Sequence, residues 1–409
     1  MNEAESPPDI DWVIVGGGIH GVHLAVSLLA RGGVEPSRLR ILDPGAELLD
    51  EWRRCTSNTG MRHLRSPAVH HLDIHPWSLL DFGGANRRGK GAARGTFVAP
   101  YHRPTVELFE AHCREVIEQH GLEALHVKDR AIRLDVSDRE VTLSLESGAT
   151  VKAAQALLAL GAGQFPRWPD WALALRDRGV QVHHLFEHGF RMQTEHWGPR
   201  VAVVGGGISA VQAALRFAEA GKTVHLVSRH PLRSHQFDSD PGWVGPKNMR
   251  RFSATRSVDA RRQMIREARH TGSVPPDLYK AIQRAIRHDA VQWHLGEVSV
   301  TLEDTLQISV DNQSLKVDGL LLATGFASHR PGGSLVDTLA NQHALPCSTC
   351  GYPIVDTHLR WHPRVFVTGA LAELEIGPVA RNIVGARRAA ERIIPLVLRQ
   401  SASHPHRAR

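Results

Sequence analysis

Two short apolar runs in the sequence are each followed by a glycine-rich turn and then by apolar residues at helical spacing. DWVIV precedes the turn GGGIHG at Gly16–Gly21, and RVAVV precedes the turn GGGISA at Gly205–Ala210. Each apolar run predicts a buried strand, and the spacing after each turn predicts a helix. A further strand is predicted in both copies, in LRILDP and in TVHLVSRH. The pattern therefore predicts two βαβ units about one domain apart.

The remaining hydrophobic pattern places further elements around these two units. AIRLDV, EVTLSLES and TVKA predict a small antiparallel meander, and QALLALGAG predicts an apolar strand ending in glycines. The polar stretch from Leu48 to Pro100 is expected to cover a cofactor or to give access to a substrate. A polar excursion, RHPLRSHQFDSDPGWVGPKNMRRF, interrupts the second unit. Other predicted elements are helices near Thr105–His120, between Val258 and His288 (two) and from about Pro378, and strands near Glu297–Leu302, Leu306–Val310 and Val317–Leu322, in YPIVD and in RVFVTGA.

The first glycine turn has the residues that a dinucleotide site requires. Gly16 allows a tight turn, Gly18 lets a pyrophosphate approach the backbone, and Gly21 allows the helix to pack against the strand. The helix starting near Ile19 directs its unpaired N–H groups and positive dipole end at that anion. Asp43 follows Gly21 by about 20 residues, where a carboxylate hydrogen-bonds the ribose hydroxyls of an adenosine. The first copy therefore predicts a site for FAD or NAD.

The second copy repeats the turn but ends without a carboxylate. The residues expected at its pyrophosphate are Gly205, Gly207, Ile208, Ser209 and Ala210. Ser228 and Arg229 occupy the strand end where the first copy has its acid. An arginine at this position accommodates a 2′-phosphate, which predicts NADPH. The alternative for Arg229 is an ordinary solvent-exposed arginine at a strand end.

The order of these elements predicts an α/β fold with two Rossmann-like dinucleotide-binding domains, the NADPH domain being inserted in the FAD domain. The predicted boundaries are residues 1–170 for the first part of the FAD-binding domain, 171–326 for the NADPH-binding domain and 327–409 for the second part of the FAD-binding domain. Two nucleotides held face to face predict electron transfer between them.

Composition and charge limit the classes of partner that the protein is expected to bind. The 409 residues include 42% hydrophobic residues, enough for sizeable cores. The formal net charge is +7, but the basic residues are scattered and no nucleic-acid-binding module is recognisable, so we expect anionic cofactors and no nucleic acid. The acidic N-terminal residues lack the features of a secretion signal, and no apolar run reaches membrane-spanning length. These features predict a cytoplasmic protein without a membrane partner; they do not specify the oligomeric state.

The sequence resembles the two-dinucleotide-binding-domain flavoproteins over nearly its whole length. Within them it is similar to the FAD/NADPH-dependent monooxygenases of the amine (lysine/ornithine) N-hydroxylase and flavin-containing monooxygenase type. GGGIHG resembles their FAD fingerprint, and GGGISA resembles their NADPH fingerprint. Ala323–Phe326 resembles the ATG motif that links the two domains, and LALGAGQFPRWP resembles its earlier counterpart. The resemblance adds Thr324 and Gly325 to the candidate cofactor-binding residues.

Three further segments resemble parts of the flavin site in this family. Trp52 stands where the family has a tryptophan near the flavin, and GMRHLRSPAVHHL resembles a stretch lining the flavin and substrate side, which makes Met61–Pro67 candidates. The alternative for that stretch is a structural loop. VTGALAELEIGP resembles the closing FAD segment, where backbone N–H groups at a helix start meet the electron-rich edge of the ring. The cofactor-binding residues implied by these segments are Trp52, Arg62, His63, Gly369, Ala370, Gly377 and Pro378.

The resemblance implies a reaction with oxygen. NADPH would reduce FAD, and a C4a-hydroperoxyflavin would then oxygenate an amine nitrogen or a sulfur of a small-molecule substrate, so that O2 is the second substrate. The cofactor carries this chemistry, and no catalytic side chain is assigned.

Cys347 and Cys350 leave a second function open. Their C-x-x-C spacing suits a flavin-dependent NADPH reductase that acts on a disulfide or a protein electron acceptor. In the family's disulfide-exchanging relatives, however, the pair precedes the NADPH turn, whereas here it follows the ATG motif. No second C-x-x-C completes a zinc site, so no metal is predicted, although histidines could contribute ligands. A pair of ordinary surface or turn cysteines is the favoured interpretation, and a non-catalytic flavin-binding redox sensor is the remaining alternative.

Overall fold

The computed structural model describes residues 9–402, apart from residues 89, 162, 164, 303–305 and 312. Its strands are β1 (Trp12–Val15), β2 (Leu39–Leu42), β3 (Phe97–Val98), β4 (Arg103–Pro104), β5 (His126–Val127), β6 (Ala131–Val136), β7 (Val141–Leu145), β8 (Thr150–Ala153), β9 (Gln155–Leu158), β10 (Val182–His184), β11 (Arg200–Val204), β12 (Thr223–Ser228), β13 (Arg233–Ser234), β14 (Ser273–Val274), β15 (Val291–Leu295), β16 (Val298–Leu302), β17 (Leu306–Val310), β18 (Gln313–Lys316), β19 (Gly319–Leu322), β20 (Arg360–His362) and β21 (Val365–Val367). Its helices are α1 (Ile19–Ala30), α2 (Asp50–Thr59), α3 (Ser78–Phe82), α4 (Val106–Gln119), α5 (Asp170–Asp177), α6 (Ile208–Glu219), α7 (Pro246–Ala254), α8 (Val258–Ala268), α9 (Pro276–Arg287), α10 (Gly333–Gln342), α11 (Glu373–Ile376) and α12 (Ile383–Ala402).

The first sheet has six strands in the order β20, β21, β9, β1, β2 and β5. All neighbouring strands are parallel except β20 and β21. Strand β1 lies inside the sheet, with Val13 opposite Arg40 of β2 and Ala156 of β9. All four residues of β1 are buried, as expected of an apolar strand in a parallel sheet whose two faces are both covered.

The second sheet has five parallel strands in the order β10, β19, β11, β12 and β15. Every one of these strands lies between β9 and β21 in the sequence. The second Rossmann-like unit is therefore inserted in the first, which confirms the predicted α/β fold class. The boundaries at residues 170 and 326 stay a prediction.

The two connections between the sheets run side by side. Pro166 in the first connection and Phe326 in the second form an antiparallel bridge, and the Arg167 N–H donates to the Gly325 carbonyl at 2.9 Å. The Thr324 hydroxyl donates to the Arg167 carbonyl. The ATG segment thus joins the two units, and Thr324 uses its hydroxyl hydrogen to hold the crossing together. Ala162 and Gln164 of the earlier counterpart lie outside the described residues.

Several elements differ from the sequence-based expectations. The stretch after Leu48 contains α2, which was not predicted because part of its buried surface is polar: Arg54 donates to the Glu187 carbonyl at 2.7 Å, and Asn58 donates to the Leu185 carbonyl at 2.9 Å. Strands β15 and β18 and helix α10 were also missed. YPIVD forms no strand; its contribution to sheet pairing is an isolated bridge between Pro353 and Cys347. The final helix starts at Ile383, after a 3₁₀ turn at Pro378–Arg381.

Other expectations are confirmed. Strands β6, β7 and β8 form the antiparallel meander, and α8 and α9 are the two helices predicted between Val258 and His288. Cys113 lies on the buried face of α4 and belongs to the main hydrophobic core. In the described part of the chain, none of the helices combines the length and the apolar character needed to cross a bilayer.

Candidate cofactor and substrate site

The first glycine turn leaves space for a ligand at one glycine and none at two others. A Cβ atom on Gly16 or on Gly21 would lie under 3.0 Å from a backbone carbonyl oxygen, that of Ala159 or of Gly16 respectively. Gly16 also has φ +112°, a conformation that side chains disfavour. At Gly18 a Cβ would meet nothing within 4 Å, and this residue caps α1 without a side-chain hydrogen bond. The start of α1 therefore offers open space beside unpaired N–H groups, as a pyrophosphate requires.

Asp43 lies directly beside this turn. One carboxylate oxygen accepts the Gly17 N–H at 2.7 Å, and the other accepts the Gly45 N–H at 2.8 Å. These bonds fix the carboxylate at the end of β2, and each oxygen retains a lone pair for a ribose hydroxyl. The residues present thus fit the adenosine and pyrophosphate of FAD at the position the sequence predicted.

A cavity of about 460 Å³ opens next to the start of α1. Ile19 and His20 of that helix lie in its wall, and so does Trp52 of α2, whose ring contacts Phe109 with centroids 5.2 Å apart. The other residues in the wall are Arg65, Ser66, Pro67, His70, Tyr101, Phe237, Asp238, Ser239, Pro241, Val244, Val379, Arg381, Asn382, Ile383 and Val384. The size and the mixture of aromatic, aliphatic and charged groups suit a flavin ring together with a small molecule.

His20 connects the first turn to the closing segment of the chain. Its Nε2 lies 3.2 Å from the Asn382 carbonyl, which can only accept, so Nε2 carries the proton. Its Nδ1 then accepts the Thr368 hydroxyl at 2.9 Å. Burial, together with nearby His23, lowers the pKa of His20 to about 4, so the ring is neutral at pH 7. The contact holds Gly369, with φ +63°, against the His20 ring.

The closing segment places a helix start in the cavity wall. Gly369, Ala370 and Pro378 are buried, and Gly377 has φ +88°, but none of these four residues lines the cavity. Their neighbours Val379 and Arg381–Val384 do. Because α12 starts at Ile383, the positive end of its dipole faces the cavity. The segment thus reaches the cavity through residues a few positions further along the chain than those predicted.

The loop Met61–Pro67 lines the cavity through Arg65, Ser66 and Pro67, and not through Arg62 and His63, which were named as cofactor-binding residues. Arg62 is largely exposed and forms an ion pair with Glu219 at 2.7 Å, and His63 Nε2 lies 3.0 Å from the Gly95 carbonyl. The structure does not bring Arg62 and His63 to the cavity because both side chains have partners elsewhere. Arg65, three positions after Arg62, lies in the wall instead.

Arg65 ties this loop to the polar excursion of the second unit. Its Nε donates to the Gln236 carbonyl at 3.0 Å, and its Nη2 donates to Ser273 Oγ and to the His235 carbonyl, each at 2.8 Å. The excursion supplies Phe237 and Asp238 to the wall. The sequence did not predict either residue as part of the site. The one feature of the sequence that pointed to them is the polar stretch that interrupts a βαβ unit.

The second glycine turn resembles the first but is less open, because a Cβ on Gly207 would lie 3.4 Å from Gly272 Cα. Gly205 has φ +151°, and a Cβ there would lie under 3.0 Å from the Ala323 carbonyl oxygen. Gly207 caps α6 without a side-chain hydrogen bond. Ala210 occupies the place of Gly21 and is fully buried, so this turn accepts a methyl group where the first does not. Ile208 and Ser209 form the start of α6 beside the turn.

The strand end beside the second turn carries the exposed residue Arg229. Ser228 is buried, donates to the His230 carbonyl at 2.9 Å and accepts from Trp293 Nε1 at 2.9 Å, so its hydroxyl hydrogen is not available to a ligand. Arg229 is exposed, and within the described residues its side chain forms neither a hydrogen bond nor an ion pair. Arg229 is therefore available to bind an anion, and the hydrogen bonds of Ser228 stabilise the strand end.

All four cysteine thiols are free, and none of them lies in the cavity wall. Cys347 Sγ lies 3.7 Å from Arg330 Nη1, and Cys350 Sγ lies 3.3 Å from the Ser348 hydroxyl. Over the part of the chain that the structure describes, no three histidine, cysteine or acidic side chains are grouped as a metal site would require.

A buried ionic cluster adjoins the cavity. Glu373 is fully buried and forms ion pairs with Arg262, with Arg381 at 2.8 Å and with Arg269 at 3.5 Å. The Tyr352 ring lies 4.0 Å from the Arg262 guanidinium, and its hydroxyl accepts from Arg381 at 2.9 Å. Arg262 belongs to α8 of the inserted unit, whereas Glu373 belongs to the closing segment, so the cluster holds the two units together.

Comparison with known proteins identifies the family. The sequence model described as pyridine nucleotide-disulphide oxidoreductase matches residues 10–242, and the one described as FAD binding domain matches residues 200–355. A search of curated proteins gave no match.

Similar solved structures have the same two-domain flavoprotein fold. An ornithine N-hydroxylase from Kutzneria sp. 744 has a TM-score of 0.75 at 18% identity, covering 96% of this chain and 100% of that one. The FAD-bound cadaverine monooxygenase DfoA from Erwinia amylovora has a TM-score of 0.71 at 16% identity, covering 96% and 95%. The bacillithiol disulfide reductase Bdr from Bacillus cereus has a TM-score of 0.59 at 16% identity, covering 96% and 99%. At these identities the likeness shows the fold alone.

The first sequence model spans more than half of the chain, including the first glycine turn, Asp43 and much of the cavity wall. The resemblance to two-dinucleotide-binding-domain flavoproteins is thereby confirmed. The chain belongs to the pyridine nucleotide-disulphide oxidoreductase family and is an FAD-dependent oxidoreductase.

Proposed function

We propose that the protein is an NADPH-dependent FAD monooxygenase that transfers an oxygen atom from O2 to an amine nitrogen or a sulfur of a small molecule. The observation that carries this proposal is the cavity beside the first glycine turn, which has room for a small molecule and has no thiol in its wall. A reductase that passed electrons to its own cysteines would need a thiol close to the flavin.

In this proposal FAD binds at the first turn and NADPH at the second. The FAD-binding sequence model also covers the second turn. We assign FAD to the first turn because Asp43 offers a carboxylate to the ribose there and because the cavity adjoins α1. The second turn has Arg229 in place of a carboxylate, which favours a nucleotide with a 2′-phosphate. The proposed domain boundaries remain residues 1–170, 171–326 and 327–409.

The side chains of the protein would position the reactants and exclude water. Gly18 and the start of α1 would hold the pyrophosphate, and Trp52 would form one wall of the flavin pocket. Tyr101 and Phe237, with ring centroids 4.7 Å apart, add an apolar surface on which a substrate can lie. When bound, FAD would supply the electron transfer and the oxygen chemistry, and a dry pocket prevents loss of the activated oxygen to water.

The similar structures support the choice of acceptor. The ornithine N-hydroxylase and the cadaverine monooxygenase both act on amines by their names, and both are covered almost completely by this fold. A panel of primary amines and thioethers should therefore contain a compound that stimulates NADPH-dependent oxygen uptake by the purified protein. We expect the stimulated uptake to yield one oxygenated product per NADPH oxidised. Uptake that no compound of the panel changes, with hydrogen peroxide as its sole product, would contradict the proposal.

Arg229→Ala is expected to weaken the binding of NADPH much more than the binding of NADH. Only NADPH carries the 2′-phosphate, and charge-assisted hydrogen bonds of this kind contribute about 1.5 to 3 kcal/mol, or roughly tenfold to a hundredfold in affinity. Steady-state flavin reduction measured with each nucleotide gives the two KM values. Arg233→Ala, which removes another exposed arginine from the same excursion, serves as the control. Equal losses for NADPH and NADH would refute the assignment of Arg229 to the phosphate.

The family name and the similarity to bacillithiol disulfide reductase favour one second candidate, a reductase acting through Cys347 and Cys350. Replacing both cysteines by serine is expected to leave NADPH oxidation and product formation within about twofold of wild type, since neither thiol reaches the cavity wall. NADPH-dependent reduction of a small disulfide, followed with and without the substitutions, separates the two functions. Loss of turnover in the double variant would establish the reductase in place of the monooxygenase.

A further inference from the structure

The neighbourhood of the cavity holds more positive than negative charge. Four guanidinium groups lie in or directly behind its wall, those of Arg65, Arg262, Arg269 and Arg381. Two carboxylates lie with them, Glu373 in the buried cluster and Asp238 in the wall. Two further groups in the wall, His20 and His70, do not add charge at pH 7 because burial lowers the pKa of each to about 4.

This excess of positive charge is largely buried, which is energetically unfavourable. Glu373 is 0% exposed, and the side chains of Arg262, Arg269 and Arg381 are 10%, 17% and 28% exposed. Glu373 and Asp238 together cannot neutralise the four guanidinium groups, and a buried charge without a counter-ion is strongly unfavourable. Burial lowers the pKa of Arg269 to about 10, which is still far above neutrality, so its guanidinium remains charged at pH 7.

Two arginines of the cavity wall, Arg381 and Arg65, use only part of their guanidinium groups for protein partners among the described residues. Arg381 uses Nε for Glu373 and Nη2 for the Tyr352 hydroxyl, and Arg65 uses Nε and Nη2 for partners in the inserted unit. The Nη1 atom of each has no hydrogen-bond partner among the described residues, and neither atom is one of the buried unpaired nitrogens. The two side chains are fixed by their other bonds, so both Nη1 groups are oriented in advance.

We propose that Arg381 and Arg65 bind an anionic group in the cavity. A carboxylate of the substrate is one source of this group, and the bound FAD is the other, because its ring system carries one negative charge after it accepts a hydride. The shared chemistry is a single negative charge held by two guanidinium groups. The inference rests on FAD binding beside this cavity and does not require oxygen as the acceptor.

Two measurements on the FAD-loaded protein test the proposal without oxygen or turnover. Benzoate is titrated as the carboxylate probe and followed by the change in flavin absorbance, and the midpoint potential of the flavin is measured by anaerobic dye titration. The variants are Arg381→Met, Arg65→Met and the charge-preserving Arg381→Lys. The control is Arg392→Met, which removes a guanidinium from Glu375 outside the cavity wall.

We expect Arg381→Met and Arg65→Met each to lower the affinity for benzoate at least tenfold, to lower the midpoint potential of the flavin by about 30 mV, or to do both. For a two-electron couple, about 30 mV corresponds to a tenfold change in the equilibrium constant. A change in benzoate affinity alone assigns the arginines to a substrate carboxylate, and a change in potential alone assigns them to the reduced flavin. Arg381→Lys should recover most of either effect, and Arg392→Met should change neither. If Arg381→Met does not retain FAD, Arg65→Met decides, because Arg65 lies outside the Glu373 cluster. The proposal is overturned if, in the methionine variants, the benzoate affinity stays within twofold of wild type and the midpoint potential stays within about 9 mV, which is twofold for a two-electron couple, or if Arg392→Met changes them as much.

Discussion

Replacing Gly21 by alanine is expected to abolish FAD binding and to destabilise the first domain, whereas replacing Gly18 by alanine should abolish tight FAD binding alone. A methyl group on Gly21 would lie under 3.0 Å from the Gly16 carbonyl oxygen, so α1 would have to move away from β1. Overpacking of this kind costs about 1 to 3 kcal/mol of folding free energy. A methyl group on Gly18 meets no atom within 4 Å of the protein and would instead occupy the space of the pyrophosphate.

Urea unfolding of the apoprotein and the flavin retained per chain after purification distinguish the two effects. Gly245→Ala is a suitable control, since that glycine also has open space around its Cβ position, has φ −112° and caps a helix of the inserted unit, α7. If Gly18→Ala retained FAD as wild type does, the pyrophosphate could not lie at this turn. If Gly21→Ala unfolded at the same urea concentration as wild type, the close packing of the turn would be wrong.

Glu373→Gln is expected to lower the free energy of unfolding by about 3 to 5 kcal/mol, the range for removing one partner of a buried ion pair. The substitution conserves the volume of the side chain but leaves Arg262, Arg269 and Arg381 without their shared counter-ion. Because Arg262 belongs to the inserted unit, the loss should also loosen the contact between the two units. Urea unfolding followed by tryptophan fluorescence measures the first effect, and limited proteolysis measures the second.

Glu391→Gln provides the matched comparison for that variant. Glu391 pairs with Arg388 on the surface of α12, where the two side chains are 44% and 40% exposed. Exposed pairs contribute about 0 to 1 kcal/mol, so this substitution should have little effect on unfolding. Equal urea midpoints of unfolding for the two variants would mean that Glu373 does not stabilise the buried cluster.

The sequence predicts those parts of the candidate site that are local in the chain. Gly16, Gly18 and Gly21 lie within one turn, and Asp43 follows at the end of the next strand, so their residue types and spacing report the geometry directly. Trp52 was located by resemblance to a family pattern, and it lies in the cavity wall; its place beside the flavin stays a prediction. The insertion of one Rossmann-like unit in the other followed from the order of the two turns and the later strands.

The substrate side of the site could not be predicted in the same way. Tyr101, Asp238 and Arg381 lie far apart in the sequence and meet only after the two units pack together. Their types carry no signal by themselves, because tyrosine, aspartate and arginine are common on any surface. Arg62 illustrates the converse: it lies in the right segment, but its ion pair with Glu219 draws it away from the cavity.

The central claim is that electrons from NADPH pass through FAD to O2 and that one oxygen atom enters the substrate. Its most direct measurement is the mass of the product formed from NADPH, the stimulating amine or thioether and ¹⁸O2. The account predicts one ¹⁸O atom in each product molecule, with one NADPH oxidised and the second oxygen atom released as water. A product without the label, or NADPH oxidation that yields only hydrogen peroxide or a reduced disulfide, would contradict it.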